Sequence, residues 1–185
     1  MSQLFKNHIL EISDVSDADL DYVLSHFVLK EFKKNEFLVH ENQTNISEYF
    51  VLSGCLKSYN MDQNGKEHIV QFGLQNWWIS DYQAYFSSQK ATLSIDCVED
   101  SQVLELTLEN REKLCAEMHT LEHFFRVKTT NGYIALQQRV LSILNNNPQE
   151  RYNLLLSQNP ILFQKVPKKL IASYLGVSRE TLSRF

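Results

Sequence analysis

The chain has 185 residues and a mass of 21.6 kDa, with 43% hydrophobic residues, 22% charged residues, five glycines and three prolines. That composition suits one large globular domain or two small ones, and it excludes collagen-like, low-complexity and disulfide-stapled miniprotein classes. The formal net charge is −4, so the chain is no polycation overall and the placement of charge matters more than its sum.

No apolar run reaches the roughly 18 residues of a membrane span, and Met1 to Leu10 lacks the apolar segment of a signal peptide. A soluble cytoplasmic protein with no membrane partner is predicted. Cys55, Cys97 and Cys115 are odd in number and too far apart for a metal-binding pair, so each reads as a small buried hydrophobe.

In chain order, residues 13–27 carry Ser and Asp start signals followed by Leu20, Val23, Leu24 and Phe27 at helical spacing, which predicts one short opening helix. From Leu29 to Leu108 the texture becomes short apolar runs between turn formers: FKKNEFLVH, EYFVLSGCLKSYN, KEHIVQF and TLSIDCVEDSQVLELT. Strands without intervening helices predict an antiparallel roll or sandwich. Asp62 to Gly65 reads as a hairpin turn, because Asn and Gly tolerate positive φ.

Residues 109–146 contain no proline and one glycine, Gly132, with Leu114, Met118, Leu121 and Phe125 at alternating spacings of four and three. This predicts one long helix with a coiled-coil seam, interrupted over residues 128–132 and resuming at Leu136, Val140 and Ile143. Packing within its own domain and pairing with a second copy both fit that seam. Asn145 to Pro148 stop the helix as a hinge, dividing the chain into 1–147 and 148–185. Through Glu150 there are 12 basic and 21 acidic residues, a net of −9; beyond it there are 6 and 1, a net of +5. A basic module following an acidic body is the asymmetry of a nucleic-acid-binding tail.

Within that tail, residues 168–185 read KKLIASYLGVSRETLSRF. Ile171, Ala172 and Leu175 form one helical face, Gly176 permits a left-handed turn residue, and Ser178 is a natural N-cap for a second helix. Ala172 is small where two helices cross, and Val177, Leu182 and Phe185 are expected to bury the second helix's underside. Arg179, Glu180, Ser183 and Arg184 then project outward, where Arg can read guanine O6/N7 and Glu can accept from cytosine N4. An ordinary helical hairpin with a solvated charged face is the other reading of the same pattern.

SRETLSR preceded by IASYLG resembles the recognition motif of the cyclic-AMP receptor and fumarate-nitrate regulator (Crp/Fnr) family of bacterial transcription factors. The resemblance runs along nearly the whole chain, and PQERYNLLLSQNPILFQKVPKKLIASYLG is similar to the short Bacteroidetes-type members. It implies an α+β fold: an N-terminal antiparallel β-roll of the cyclic-nucleotide-binding type, a double-stranded jelly roll, then a long dimerisation helix and a C-terminal winged helix–turn–helix. The implied partners are double-stranded DNA, a second copy of the chain and RNA polymerase. Arg179, Glu180 and Arg184 match the family's base readers, and Ser178, Thr181, Lys168 and Lys169 are the phosphate candidates. The sequence ends at Phe185, seven residues beyond Ser178 and short of the family's usual recognition helix and wing, so Arg184 is expected to be the weaker reader.

Family members that bind cyclic nucleotides carry a cassette resembling Phe-Gly-Glu followed by Arg-Ser/Thr-Ala. Here Phe72 and Gly73 precede Leu74, and Lys90 and Ala91 stand where the Arg and its small partner are sought, so cyclic-AMP binding is not expected. Trp77, Trp78, Tyr82, Tyr85 and Phe86 concentrate in the segment between. They either line a ligand pocket, plug a vacated nucleotide pocket or pack the sensor against the long helix. The iron–sulfur members' amino-terminal cysteine cluster has no counterpart before Cys55. His119 and His123, four apart on the predicted helix, have no third ligand nearby, and His40 and His68 lack the clustered ligands of a metalloenzyme roll. No cofactor or metal is expected, and these residues identify no effector. With no Ser/His/Asp arrangement, phosphate-binding loop or dinucleotide fingerprint, an enzyme is not expected. The alternative class is a ligand-binding or scaffold protein of the same fold without sequence-specific DNA binding.

Overall fold

The computed structural model describes residues 2–185. Two helices open the chain, α1 (Ser2–Leu10) and α2 (Asp17–Leu24). The sequence reading missed α1, whose Leu4, Phe5, His8 and Ile9 recur at helical spacing but carry no cap signal. The structure also trims the predicted 13–27 helix to α2, N-capped by Ser16, whose hydroxyl accepts from the Asp19 N–H at 3.2 Å.

Eight strands follow: β1 (Val28–Phe32), β2 (Phe37–Val39), β3 (Glu48–Ser53), β4 (Cys55–Met61), β5 (Glu67–Leu74), β6 (Trp78–Ile79), β7 (Ser94–Cys97) and β8 (Ser101–Leu106). They form two antiparallel four-stranded sheets in the orders β1-β8-β3-β6 and β2-β7-β4-β5, the antiparallel roll the texture predicts and the jelly roll the resemblance implies. The chain passes from β3 to β4 through Gly54 at φ +97°, where a Cβ would lie 2.2 Å from Ser101 Oγ, so only glycine fits. The predicted hairpin turn joins β4 to β5, with the Asp62 carboxylate accepting from the Asn64 and Lys66 N–H groups at 2.9 and 3.0 Å. One helix interrupts the strand run against expectation: α3 (Tyr82–Ser87), N-capped by Asp81.

The predicted single helix over 109–146 is two. α4 (Leu108–Glu117), capped by Thr107, ends at Met118 in extended conformation (φ −132°, ψ 99°), and α5 (His119–Asn145) begins there. The predicted seam divides by burial. Leu114, Leu121 and Phe125 are buried in the chain's own core, whereas Leu136, Val140 and Ile143 are 53%, 47% and 50% exposed. Asn146 ends α5 and Asn147 starts α6 (Pro148–Gln158) with a reciprocal capping box to Glu150. Helices α7 (Pro160–Lys165), α8 (Lys168–Leu175) and α9 (Arg179–Leu182) complete the chain.

Three apolar clusters organise these elements. The first lies between the outer face of the β1-β8-β3-β6 sheet and α1, α2, α4 and α5, around Phe5, Phe50, Leu114 and Phe124. The second fills the roll, around Tyr49, Leu56, Tyr85 and Ile95. The third joins the outer face of the other sheet (Cys55, Tyr59, Ile69, Phe72, Leu74) to α6–α9. Each fully buried Leu or Phe contributes about 1.5–3 kcal/mol, so the C-terminal helices are held to the sheet by a true core. Among the described residues, no helix is long and apolar enough to cross a membrane.

Candidate nucleic-acid interface and the interior of the roll

The C-terminal unit is built as the local sequence requires. Ile171, Ala172 and Leu175 of α8 are buried. Gly176 adopts φ +70° and the Val177 N–H returns to the Ala172 carbonyl at 3.0 Å, which turns the chain. Ser178 caps α9 by accepting from the Thr181 N–H at 3.1 Å, and Leu182 is buried beneath it. Phe185 is the exception to the predicted underside. It is 38% exposed and packs at the edge of Tyr152, with ring centroids 5.6 Å apart.

With that side buried, Arg179, Glu180, Ser183 and Arg184 stand exposed on the other, together with Lys168 and Lys169 at the start of α8. Thr181 is half-buried against the Ser178 hydroxyl. The Glu180 carboxyl is held below the usual carboxylate range, first by its own backbone N–H and then by the Ser178 hydroxyl, so it is ionised at neutral pH, where it can accept from a base donor.

The predicted effector residues are not brought together. Phe72 and Leu74 face α8 in the third cluster, on the outside of the roll, with Trp77 at its margin. Gly73 lies in β5 against Ile79. Phe72 and Leu74 thus point out of the roll and are buried under the C-terminal helices, while Gly73 faces inward, so the three do not line one pocket. Trp78 packs among Phe5, Phe27, Phe50 and Phe125, and its indole N–H donates to His8 Nε2 at 3.3 Å. Burial and the Lys128 charge lower the His8 pKa to about 4, so this nitrogen is free to accept. Lys90 is exposed, and Ala91 reaches the roll interior.

That interior holds groups the sequence reading did not single out. Asp81, 2% exposed, accepts from the N–H groups of Ala84, Thr92 and Leu93 at 3.2, 2.7 and 3.0 Å and from the Thr92 hydroxyl at 3.0 Å. Four donors converge on one internal carboxylate. Beside it Tyr85 fills the roll with its hydroxyl 3.5 Å from Glu48, and Glu48 pairs with Arg111 of α4 at 2.5 Å. Burial raises the Glu48 pKa while Arg111 opposes the rise. A Ser-Asp pair ahead of a short apolar helix was a readable N-cap signal for Asp81; nothing local to Glu48 or Arg111 marks their partnership across 63 positions. The aromatic segment therefore plugs the roll through Tyr85 and packs it against α5 through Trp78.

A family model described as the cyclic nucleotide-binding domain matches residues 29–118. The transcriptional activator protein Anr of Pseudomonas protegens is 24% identical over 163 residues, covering 82% of this chain and 66% of that protein. The fumarate and nitrate reduction regulatory protein of Vibrio cholerae serotype O1 is 26% identical over 166 residues, covering 84% and 66%. The solved structure of FixK2 from Bradyrhizobium japonicum superposes with a TM-score of 0.73 at 18% identity, over 85% of this chain and 81% of that one. The chain is thus similar to these regulators over most of its length, and its fold is that of FixK2. It spans 60–66% of the length of the curated relatives it matches.

The roll is filled by its own side chains. The backbone donors at the start of α3 and at residues 92–93 are already satisfied by Asp81, and the one buried guanidinium nearby, Arg111, is satisfied by Glu48. A phosphate entering here would displace an internal anion and leave buried groups unpaired. Cyclic AMP is accordingly expected to release no heat in titration calorimetry; micromolar binding would show that Asp81 and Tyr85 can leave the roll. Among the described residues, no three His, Cys, Asp or Glu side chains cluster as metal ligands. Cys55 and Cys97 are buried in the sheets with thiol pKa values pushed up to about 12 and about 11 by burial, which makes them inert; Cys115 is half-buried.

Proposed function

We propose that this chain is a homodimeric, cytoplasmic DNA-binding transcription regulator of the Crp/Fnr type that works without a cyclic nucleotide. The division of labour falls near residue 147, with the sensor roll and α4–α5 before it and the reading unit after it. The observation that carries the reading is the α8–Gly176–α9 unit, whose inner face is buried while Arg179, Glu180 and Arg184 stand free on the outer face. Base contacts fall to these three, and phosphate contacts to Ser178, Thr181, Lys168 and Lys169. The names of the relatives support the same activity. Selection from random duplexes tests it: an inverted repeat with G·C-containing half-sites is expected, and recovery of no enriched sequence would sink the reading.

The dimer rests on the second half of α5. Tyr133, Leu136, Val140 and Ile143 recur at spacings of three, four and three, and each is at least 47% exposed. A second α5 packed along that seam would bury them and set two recognition helices about one DNA turn apart. The wild type is expected to sediment at twice 21.6 kDa, and the double variant Leu136→Glu/Val140→Glu as a monomer. A concentration-independent monomer for the wild type would contradict the dimer.

A further inference from the structure

Strand β5 is an edge of its sheet, so one row of its backbone groups has no strand partner. Two side chains from outside the roll cover that row. Arg139 of α5 donates through Nη2 to the Ile69 carbonyl at 2.9 Å and through Nη1 to the Val70 carbonyl. The same Nη2 reaches the Tyr174 carbonyl in the last turn of α8 at 3.0 Å, and the guanidinium lies 3.9 Å over the Tyr174 ring. Ser173 of α8 donates to the Glu67 carbonyl and accepts from the Ile69 N–H at 3.4 Å. One planar cation thus joins three elements, and its charge sits at the negative end of the α8 dipole.

We propose that Arg139 is a positioning residue: a clamp that fixes the helix–turn–helix to the free edge of β5 and to α5, so that the sensor sheet sets the orientation of α9. The guanidinium fork gives directed hydrogen bonds to carbonyls of β5 and α8, while the apolar cluster around Phe72 and Tyr174, with rings 5.3 Å apart, supplies adhesion without direction. The apolar contact holds the unit on the sheet, and Arg139 with Ser173 fixes its register along the strand. In a dimer joined through α5, that register sets the separation of the two recognition helices.

Hydrogen exchange at residues 67–71 and 172–176 tests the clamp directly. Arg139→Met, which keeps an apolar stem and removes the donors, is expected to raise exchange in both segments by about tenfold while leaving α1 and α2 unchanged. Ser173→Ala should loosen the same two segments by less, and Arg139→Lys, with the charge but not the fork, should fall between Met and the wild type. Unchanged exchange in Arg139→Met overturns the clamp. The positioning role rests on the DNA-binding reading and has its own readout. The wild type should discriminate sharply against a palindrome whose half-sites are moved apart by one base pair, and Arg139→Met should lose most of that discrimination. Raised exchange with an undiminished spacing penalty overturns the positioning role. A wild type that binds no palindrome overturns the DNA reading and the positioning role together, with exchange still deciding the clamp.

Discussion

Replacing Arg111 with methionine is expected to lower the stability of the fold by about 3–5 kcal/mol, the usual cost of removing one partner of a buried ion pair. Arg111 and Glu48 are 7% and 1% exposed. The guanidinium also lies 4.2 Å over the Phe125 ring and reaches the Thr129 hydroxyl at 3.4 Å, so it ties the roll interior to α5. Without it Glu48 remains buried beside Tyr85 with no counter-charge, and its already raised pKa rises further. The sign of the pH dependence follows. A carboxyl that binds its proton more tightly folded than unfolded favours folding at low pH and loses that contribution as the pH rises through its folded pKa. The deficit of Arg111→Met should therefore be largest at neutral pH and shrink on acidification toward the ordinary carboxylate range. Glu48→Gln/Arg111→Met should recover much of the loss, because it removes the orphaned charge. Denaturant unfolding of the three proteins measures this. A single-variant deficit below about 1 kcal/mol, or one independent of pH, would show that the pair is solvated or that Glu48 is already protonated.

Arg179→Ala is expected to cost roughly 1–3 kcal/mol on the preferred site and to relax discrimination at one G·C pair. Arg179 follows the Ser178 cap directly, in the first turn of α9, and its side chain is exposed once Leu182 is buried. Lys168, at the start of α8, serves as the contrast. Its removal should weaken binding to all sequences about equally and lower the salt slope by about one. Equal losses on specific and random duplexes for Arg179→Ala would make Arg179 a phosphate contact, and unchanged binding to both would return the segment to an ordinary helical hairpin.

What was readable in the sequence was local. The turn at Gly176, the cap at Ser178 and the face of Ile171, Ala172 and Leu175 are fixed within a few residues, and the structure matches them residue for residue. The alternation of strands and turns likewise announces an antiparallel roll. The break at Met118 was invisible because Leu114, Met118, Leu121 and Phe125 keep a continuous seam across it, and no capping side chain marks the new helix. Where Phe72, Gly73 and Leu74 point was not readable locally, because the helices lying about a hundred residues later decide which face of that strand is covered. Arg111 and Arg139 escaped notice for the same reason: their partners, Glu48 and the Ile69 and Val70 carbonyls, are 63 or more positions away.

Salt titration of DNA binding tests the central claim most directly. On a palindromic duplex recovered by selection, affinity should fall steeply and log-linearly with salt, as phosphate contacts release counterions. It should stay about a thousandfold or more above a scrambled duplex at physiological salt, with two chains bound per site. Equal, weak affinity for both duplexes, or no binding at low salt, would contradict the assignment and leave a filled roll with a structural tail.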